Sequence, residues 1–266
     1  MSSRTLAVSH VVAAAVLAVV IAVTATTPAR AHKAITSKYL FNEDMFPLFR
    51  DHCGRCHVDG GVAPMSLLTY DDAAPWAESL RLELLSEDPP KPWHAFSLTA
   101  REFDMILVWA NGGAPRGDVA KAPPAVPLRN DWASGPPDLA VKMPTPFLLA
   151  GAANEATHDV VLDVSAAAGK SLRAVDLLPG LPAIVRIAEL SLKRADGTTQ
   201  ALGTWLPGRA DAVALTQPVM VPTGASILVR IGYARTWKYE SQDLSDASSV
   251  GLYFAGAPSR RPAGAR

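Results

Sequence analysis

Cysteine is nearly absent from this chain: 266 residues contain two, Cys53 and Cys56, which excludes a framework of structural disulfides. Histidine is scarce as well, six in all, and only His158 lies beyond residue 94. The C-terminal half therefore cannot build a histidine-rich metal centre from its own side chains. Charge of neither sign is in excess, with 25 basic residues against 25 acidic, so composition gives no electrostatic basis for nucleic-acid binding. Long apolar runs are missing too, apart from one near the N-terminus. A hydrophobic share of 49% is still ample for folded cores.

That one run, residues 11–23, follows Arg4 and precedes the small-x-small triplet Ala29-Arg30-Ala31. The order is that of a secretory signal peptide, expected over residues 1–31. The run is short of the about 20 residues that a membrane span requires. The expectation is an exported, soluble, periplasmic chain beginning at His32, with 23 basic and 25 acidic residues and no membrane span.

Both cysteines fall within Cys53-Gly54-Arg55-Cys56-His57, the spacing of a c-type haem attachment site. Each thiol can add to one vinyl group, and the adjoining histidine then lies under the ring to bind iron. The motif predicts one covalent haem c, with Cys53 and Cys56 as the thioether residues and His57 as the proximal iron ligand. An exported compartment suits it, because c-type haem is attached outside the bacterial cytoplasm.

Around the motif the apolar spacing predicts three helices. The first leads into Cys53, with Asn42 or Asp44 as cap, Pro47 in its first turn, and Phe46, Phe49 and Cys53 on one face. The second runs from near Asp72 to Ser86, with Trp76, Leu80 and Leu84 as its stripe and Pro89-Pro90 after it. The third opens on a capping box, Thr99 with Glu102, and buries Phe103, Ile106, Leu107 and Ala110 before Asn111-Gly112-Gly113 stops it. His52 is expected to be exposed.

Three helices about a haem resemble the class I cytochromes c. That resemblance implies that Pro64 supplies the carbonyl holding the second ring nitrogen of His57, and that Leu67 lines the haem pocket. A narrower likeness covers most of residues 38–118. Gly61-Val62-Ala63-Pro64-Met65-Ser66-Leu67-Leu68-Thr69-Tyr70, Pro75-Trp76-Ala77 and Trp109-Ala110-Asn111-Gly112-Gly113-Ala114-Pro115 resemble the short cytochrome domain of a group of exported bacterial proteins. In many of these a Met-Pro-Pro-Trp loop supplies the sixth ligand. Here the loop reads Asp88-Pro89-Pro90-Lys91-Pro92-Trp93-His94, without methionine. His94 or Met65 is the candidate sixth ligand; Lys91, Met105 and an open site are the remaining alternatives, and the choice sets the potential.

Prolines at 115, 123, 124, 127, 136 and 137 mark a linker over residues 116–137. Beyond it the apolar period falls to two, about eight short strands follow, and Asp196-Gly197 reads as a hairpin turn. The expected fold class is α+β in two domains: a small all-α cytochrome domain over 32–115, then an antiparallel β-sandwich or jelly roll over 138–257, with a disordered tail over 258–266. The turns Leu177-Leu178-Pro179-Gly180, Trp205-Leu206-Pro207-Gly208 and Val221-Pro222-Thr223-Gly224-Ala225 resemble the β-sandwich of copper type II monooxygenases. The histidine cluster of those enzymes is missing: Val229-Arg230-Ile231-Gly232-Tyr233 carries glycine where a ligand would stand, and Ile184-Val185-Arg186 lacks paired histidines. Copper is therefore not expected. Trp205, Tyr233, Trp237, Tyr239, Tyr253 and Phe254 are read as core and strand-pairing residues ahead of a binding face.

The sequence thus points to a one-electron carrier with an unidentified redox protein partner, and to no separate catalytic residue. An electron feed to an oxidase or monooxygenase system and a haem-based ligand sensor are the other classes left open.

Overall fold

The computed structural model describes residues 36–86 and 98–256. Three helical runs open it. The first, α1 (41–53), consists of the continuous segments Phe41–Met45, Phe46–Leu48 and Phe49–Cys53. Its N-cap is extended Leu40, so neither Asn42 nor Asp44 is the cap; Asp44, inside the first turn, reaches back to accept the Leu40 N–H at 2.8 Å. Asn42 instead is buried in the first turn, its amide donating to the Asp118 carbonyl at 2.7 Å. Pro47 lies inside the run and not in its first turn. The segments on either side are wound in wide turns, as in the Met45 N–H to Leu40 carbonyl bond of 3.1 Å.

The second run, α2 (70–85), joins Tyr70–Ala73, Ala74–Trp76 and Ala77–Leu85. Thr69 caps it by accepting from the Asp72 N–H at 3.2 Å, two residues before the expected start. Helix α3 (Ala100–Asn111) has the expected capping box: Thr99 accepts from the Glu102 N–H at 3.2 Å, and Glu102 accepts from the Thr99 N–H at 2.8 Å. Its buried face differs from the expected stripe. Ile106 and Trp109 are buried, whereas Phe103, Leu107 and Ala110 are only partly so.

Trp109 is fully buried and is central to this part of the core. Its ring lies 6.1 Å from Phe41 and 5.7 Å, edge-on, from Phe49. Its indole N–H donates to the Pro115 carbonyl at 3.2 Å, so the ring is both buried and hydrogen-bonded.

The proline-rich segment after α3 is extended apart from two short turns, Val119–Lys121 and one closed by the Gly135 N–H to Trp132 carbonyl bond of 3.1 Å, and is held at several points. Pro115 and Arg116 carbonyls accept from the Phe41 and Asn42 N–H groups at 2.9 and 3.0 Å. Val126 and Leu128 pack on the helical core. Further on, Asn130 donates to the Pro179 carbonyl at 2.9 Å and the Ala133 N–H to the buried Asp176 carboxylate at 3.0 Å.

Ten strands follow, all antiparallel: β1 (Leu139–Lys142), β2 (Phe147–Leu149), β3 (Glu155–Asp163), β4 (Ser171–Leu178), β5 (Val185–Lys193), β6 (Thr199–Trp205), β7 (Val213–Met220), β8 (Ser226–Ala234), β9 (Leu244–Asp246) and β10 (Ser249–Phe254). They form two four-stranded sheets, β1-β10-β4-β7 and β3-β8-β5-β6, and a two-stranded one, β2-β9. Leu172, Val175 and Leu252 of the first sheet and Leu190, Val229 and Ile231 of the second share one apolar core. Pro218 is tolerated because β7 is an edge strand. Between β5 and β6 the turn expected at Asp196-Gly197 is present, with Gly197 at φ +85°.

The described helices and sheets fall within one compact unit that begins at Ser37, with separate apolar cores for the helical and the β regions. Among the described residues no helix is long and apolar enough to cross a membrane. The expected signal, residues 1–31, and the expected tail, 258–266, lie outside the described residues, as do His32, Lys91 and His94.

Candidate functional site

The end of α1 delivers the two thiols into a tight turn. The Cys53 carbonyl accepts from the N–H groups of both Cys56 and His57, at 3.1 and 2.9 Å, which packs the motif into little more than one helical turn. Gly54 is required there, since a Cβ at this position would meet the Arg50 carbonyl at 2.8 Å. After His57 the chain curls back on itself. Gly61 donates to the Val58 carbonyl at 2.9 Å, Ala63 to Cys56 at 3.1 Å and Leu67 to His57 at 3.0 Å. Leu67 is buried in the helical core.

This loop holds the imidazole. His57 Nδ1 is 3.2 Å from the Met65 carbonyl. A carbonyl can only accept, so Nδ1 carries the proton and the Nε2 lone pair is left for a metal. The holding carbonyl therefore belongs to Met65 and not to Pro64, one residue later than expected. The bend at Pro64 turns the following peptide, rather than its own, toward the ring. The same contact places the main chain of Met65, one of the two sixth-ligand candidates, on the Nδ1 side of the ring. His94, the other candidate, lies outside the described residues.

Burial keeps the site neutral. It pushes the Cys53 thiol up to about 12, with the neighbouring Cys56 adding to the rise, and it raises Cys56 as well, partly offset by Arg186 and Arg55. His57 is lowered by burial, partly offset by its bond to Met65. Both cysteines are free thiols. A c-type haem requires two reduced thiols two residues apart and an oriented imidazole beside them, and free Cys53 and Cys56 with the held ring of His57 are residues of that kind.

The β region reaches the motif directly. Arg186, at the start of β5, donates through Nη1 to the Val62 carbonyl in the curled loop. Lys238 pairs with Asp59 at 2.5 Å. Trp237 stacks on Trp76 of α2, ring centres 6.3 Å apart. Gly208, after β6, abuts the motif itself: a Cβ on it would lie 2.8 Å from Cys56 Sγ. In the sequence Arg186 reads only as a position lacking a histidine, and no local pattern marks Gly208 or Lys238 as neighbours of a motif more than a hundred residues away.

The remaining expected positions separate. Trp205, Tyr233, Tyr253 and Phe254 are buried core, whereas Trp237 is 60% exposed and stands apart from them. His158 stacks on Phe147 at 4.8 Å. His52 is half-buried rather than exposed, with Nε2 3.5 Å from Glu102 of α3. Among the described residues no group of three His, Cys, Asp or Glu side chains is placed to hold a metal ion.

No family model matches the chain, and no curated protein does. Among solved structures, one chain of the structure of infectious bursal disease virus Gt strain is similar over 50% of this chain and 37% of that one, at 17% identity and a TM-score of 0.24. This chain thus spans little more than a third of that one, and a likeness at this level bears on neither fold nor function.

Proposed function

We propose that the chain is an exported monohaem c-type cytochrome acting in one-electron transfer, with a helical haem domain and a β-sandwich of the jelly-roll type that positions it, and with a redox protein as its partner. The observation that carries this reading is the His57 Nδ1 to Met65 carbonyl bond of 3.2 Å beside two free thiols. It presents a neutral, oriented Nε2 next to two attachment points.

The haem would supply a one-electron couple. Cys53 and Cys56 would fix it covalently, His57 would bind its iron, and the apolar residues packed around Cys53 would keep water from the ring. Such a function requires no acid, base or nucleophile. A periplasmic location follows from the signal-like segment at residues 1–31 and from where this attachment chemistry takes place.

The test is expression in cells with an active cytochrome c attachment system. The expected product retains its haem through denaturation and shows the spectrum of a thioether-linked haem, with one iron per chain. C53S/C56S should carry none. A wild-type product without covalent haem would overturn the proposal.

The second reading that the sequence leaves open is ligand sensing at an open iron site. Rapid carbon monoxide binding to the reduced protein would support it, and a closed six-coordinate iron would exclude it.

A further inference from the structure

Two kinds of cation join elements in this protein: Arg230 and Lys238 pair with the carboxylates of Asp159 and Asp59, whereas Arg235 holds only backbone carbonyls. Arg186 is of the second kind, and the carbonyl it holds belongs to the loop behind His57. Arg186 is half-buried and has no carboxylate partner among the described residues. Its hydrogen bond goes to the Val62 carbonyl, and the next residue, Ala63, donates its N–H to the Cys56 carbonyl at 3.1 Å, so the guanidinium stands one residue along the loop from the point where the loop ties to Cys56. Withdrawing an unpaired guanidinium from water is costly, so a position that keeps one requires an explanation.

The loop to which it binds is the one that orients His57. Val62 lies between Gly61, bonded to Val58, and Ala63, bonded to Cys56, and three residues before the Met65 carbonyl. Lys238 grips the same loop at Asp59. Two cations of the β region thus fix both flanks of Gly60-Gly61, a pair that would otherwise leave the loop free to shift.

We infer that Arg186 is a positioning residue of the haem site, through which the β region braces the loop behind His57 and places a fixed positive charge beside Cys56 that raises the reduction potential of the iron. This rests on the haem reading proposed above. The reasoning is electrostatic: oxidised haem carries one more positive charge than reduced haem, and a nearby cation half withdrawn from water disfavours the oxidised form. The β region therefore tunes the couple as well as carrying it.

The experiment uses the full-length holoprotein and reads the midpoint potential together with the nuclear magnetic resonance pattern of the oxidised haem methyl groups, which reports the orientation of the His57 ring. R186M, lacking both charge and donor, is expected to favour the oxidised form about tenfold more than wild type, about 59 mV for one electron, and to change the methyl pattern. R186Q keeps a donor for Val62 without the charge and should lower the potential while leaving the methyl pattern closer to wild type. R186K keeps the charge and should hold the potential within about threefold of wild type on the same scale. If R186M fails to fold, R186Q and R186K decide the matter. Equal potentials in wild type, R186Q and R186K would overturn the inference. A wild-type protein without covalent haem would instead overturn the reading beneath it, and is recognised before any variant is compared.

Discussion

Gly208 and Cys56 are in contact: the glycine backbone, at φ +76°, passes so close to the motif that a Cβ would lie 2.8 Å from Sγ. Two separate costs therefore meet at this position, a left-handed backbone and a filled neighbour. Gly208→Ala is expected to lower unfolding free energy by about 1–3 kcal/mol, and Gly208→Val by more, because β-branching is worse at positive φ. Denaturant titration measures it. A Gly208→Val protein as stable as wild type would show that the β region does not press on the motif in solution.

Met65 holds His57 through its main-chain carbonyl, which any side chain at this position leaves in place. Met65→Leu should therefore leave the orientation of the His57 ring in the holoprotein unchanged, as read from the haem methyl resonances of the oxidised form. Loss of a sulfur-to-iron charge-transfer band in this variant would instead identify Met65 as the sixth ligand.

His57 titrates abnormally low because burial disfavours its charged form. Its contribution to stability in the haem-free protein is fully present above the unfolded value of 6.5 and is lost as pH falls from there through the lowered folded value. Following the imidazole resonance of haem-free protein should give a midpoint below 6.5. A midpoint at or above 6.5 would mean that the ring is solvated, because burial is what lowers it and the Met65 bond acts in the opposite direction.

Trp109 ties α3 to α1 and to the first residue of the pinned segment. Trp109→Ala is expected to cost about 3–5 kcal/mol, from cavity formation plus the unpaired Pro115 carbonyl. Trp109→Phe should recover much of this. Near-equal stability of the two variants would place the energy in the indole N–H bond and not in the packing.

The Thr99 cap is exposed and local, so Thr99→Ala should cost only about 1 kcal/mol. A loss several times larger would mean that this helix start is also supporting distant structure.

What could be read from the chain in advance divides along physical lines. The Thr99/Glu102 box and the Asp196-Gly197 turn depend on residues three or four apart, and both are where local chemistry places them. Trp109 escaped the helical stripe because four other apolar residues on α3 offered an alternative face, and which face is buried depends on where Phe41 and Phe49 lie. The strands β2 and β9 are three residues each and pair only with each other, too short for a period of two to register. At the motif, the cysteines and histidine are fixed by spacing, whereas the identity of the holding carbonyl depends on how one loop turns. Arg186, Gly208 and Lys238 reach the site through tertiary contact alone.

The pinned segment over 116–137 has a kinetic consequence. A flexible proline-poor tether would deliver the β region to the motif at an effective concentration in the millimolar range, set by tether length, and the two would associate and separate continually. Bonds from Phe41, Asn42, Asn130 and Ala133 to fixed partners shorten the free tether to almost nothing. Separation then requires unzipping the segment first, so the cover over Cys56 should exchange on the slow timescale of local unfolding, not on that of a swinging arm.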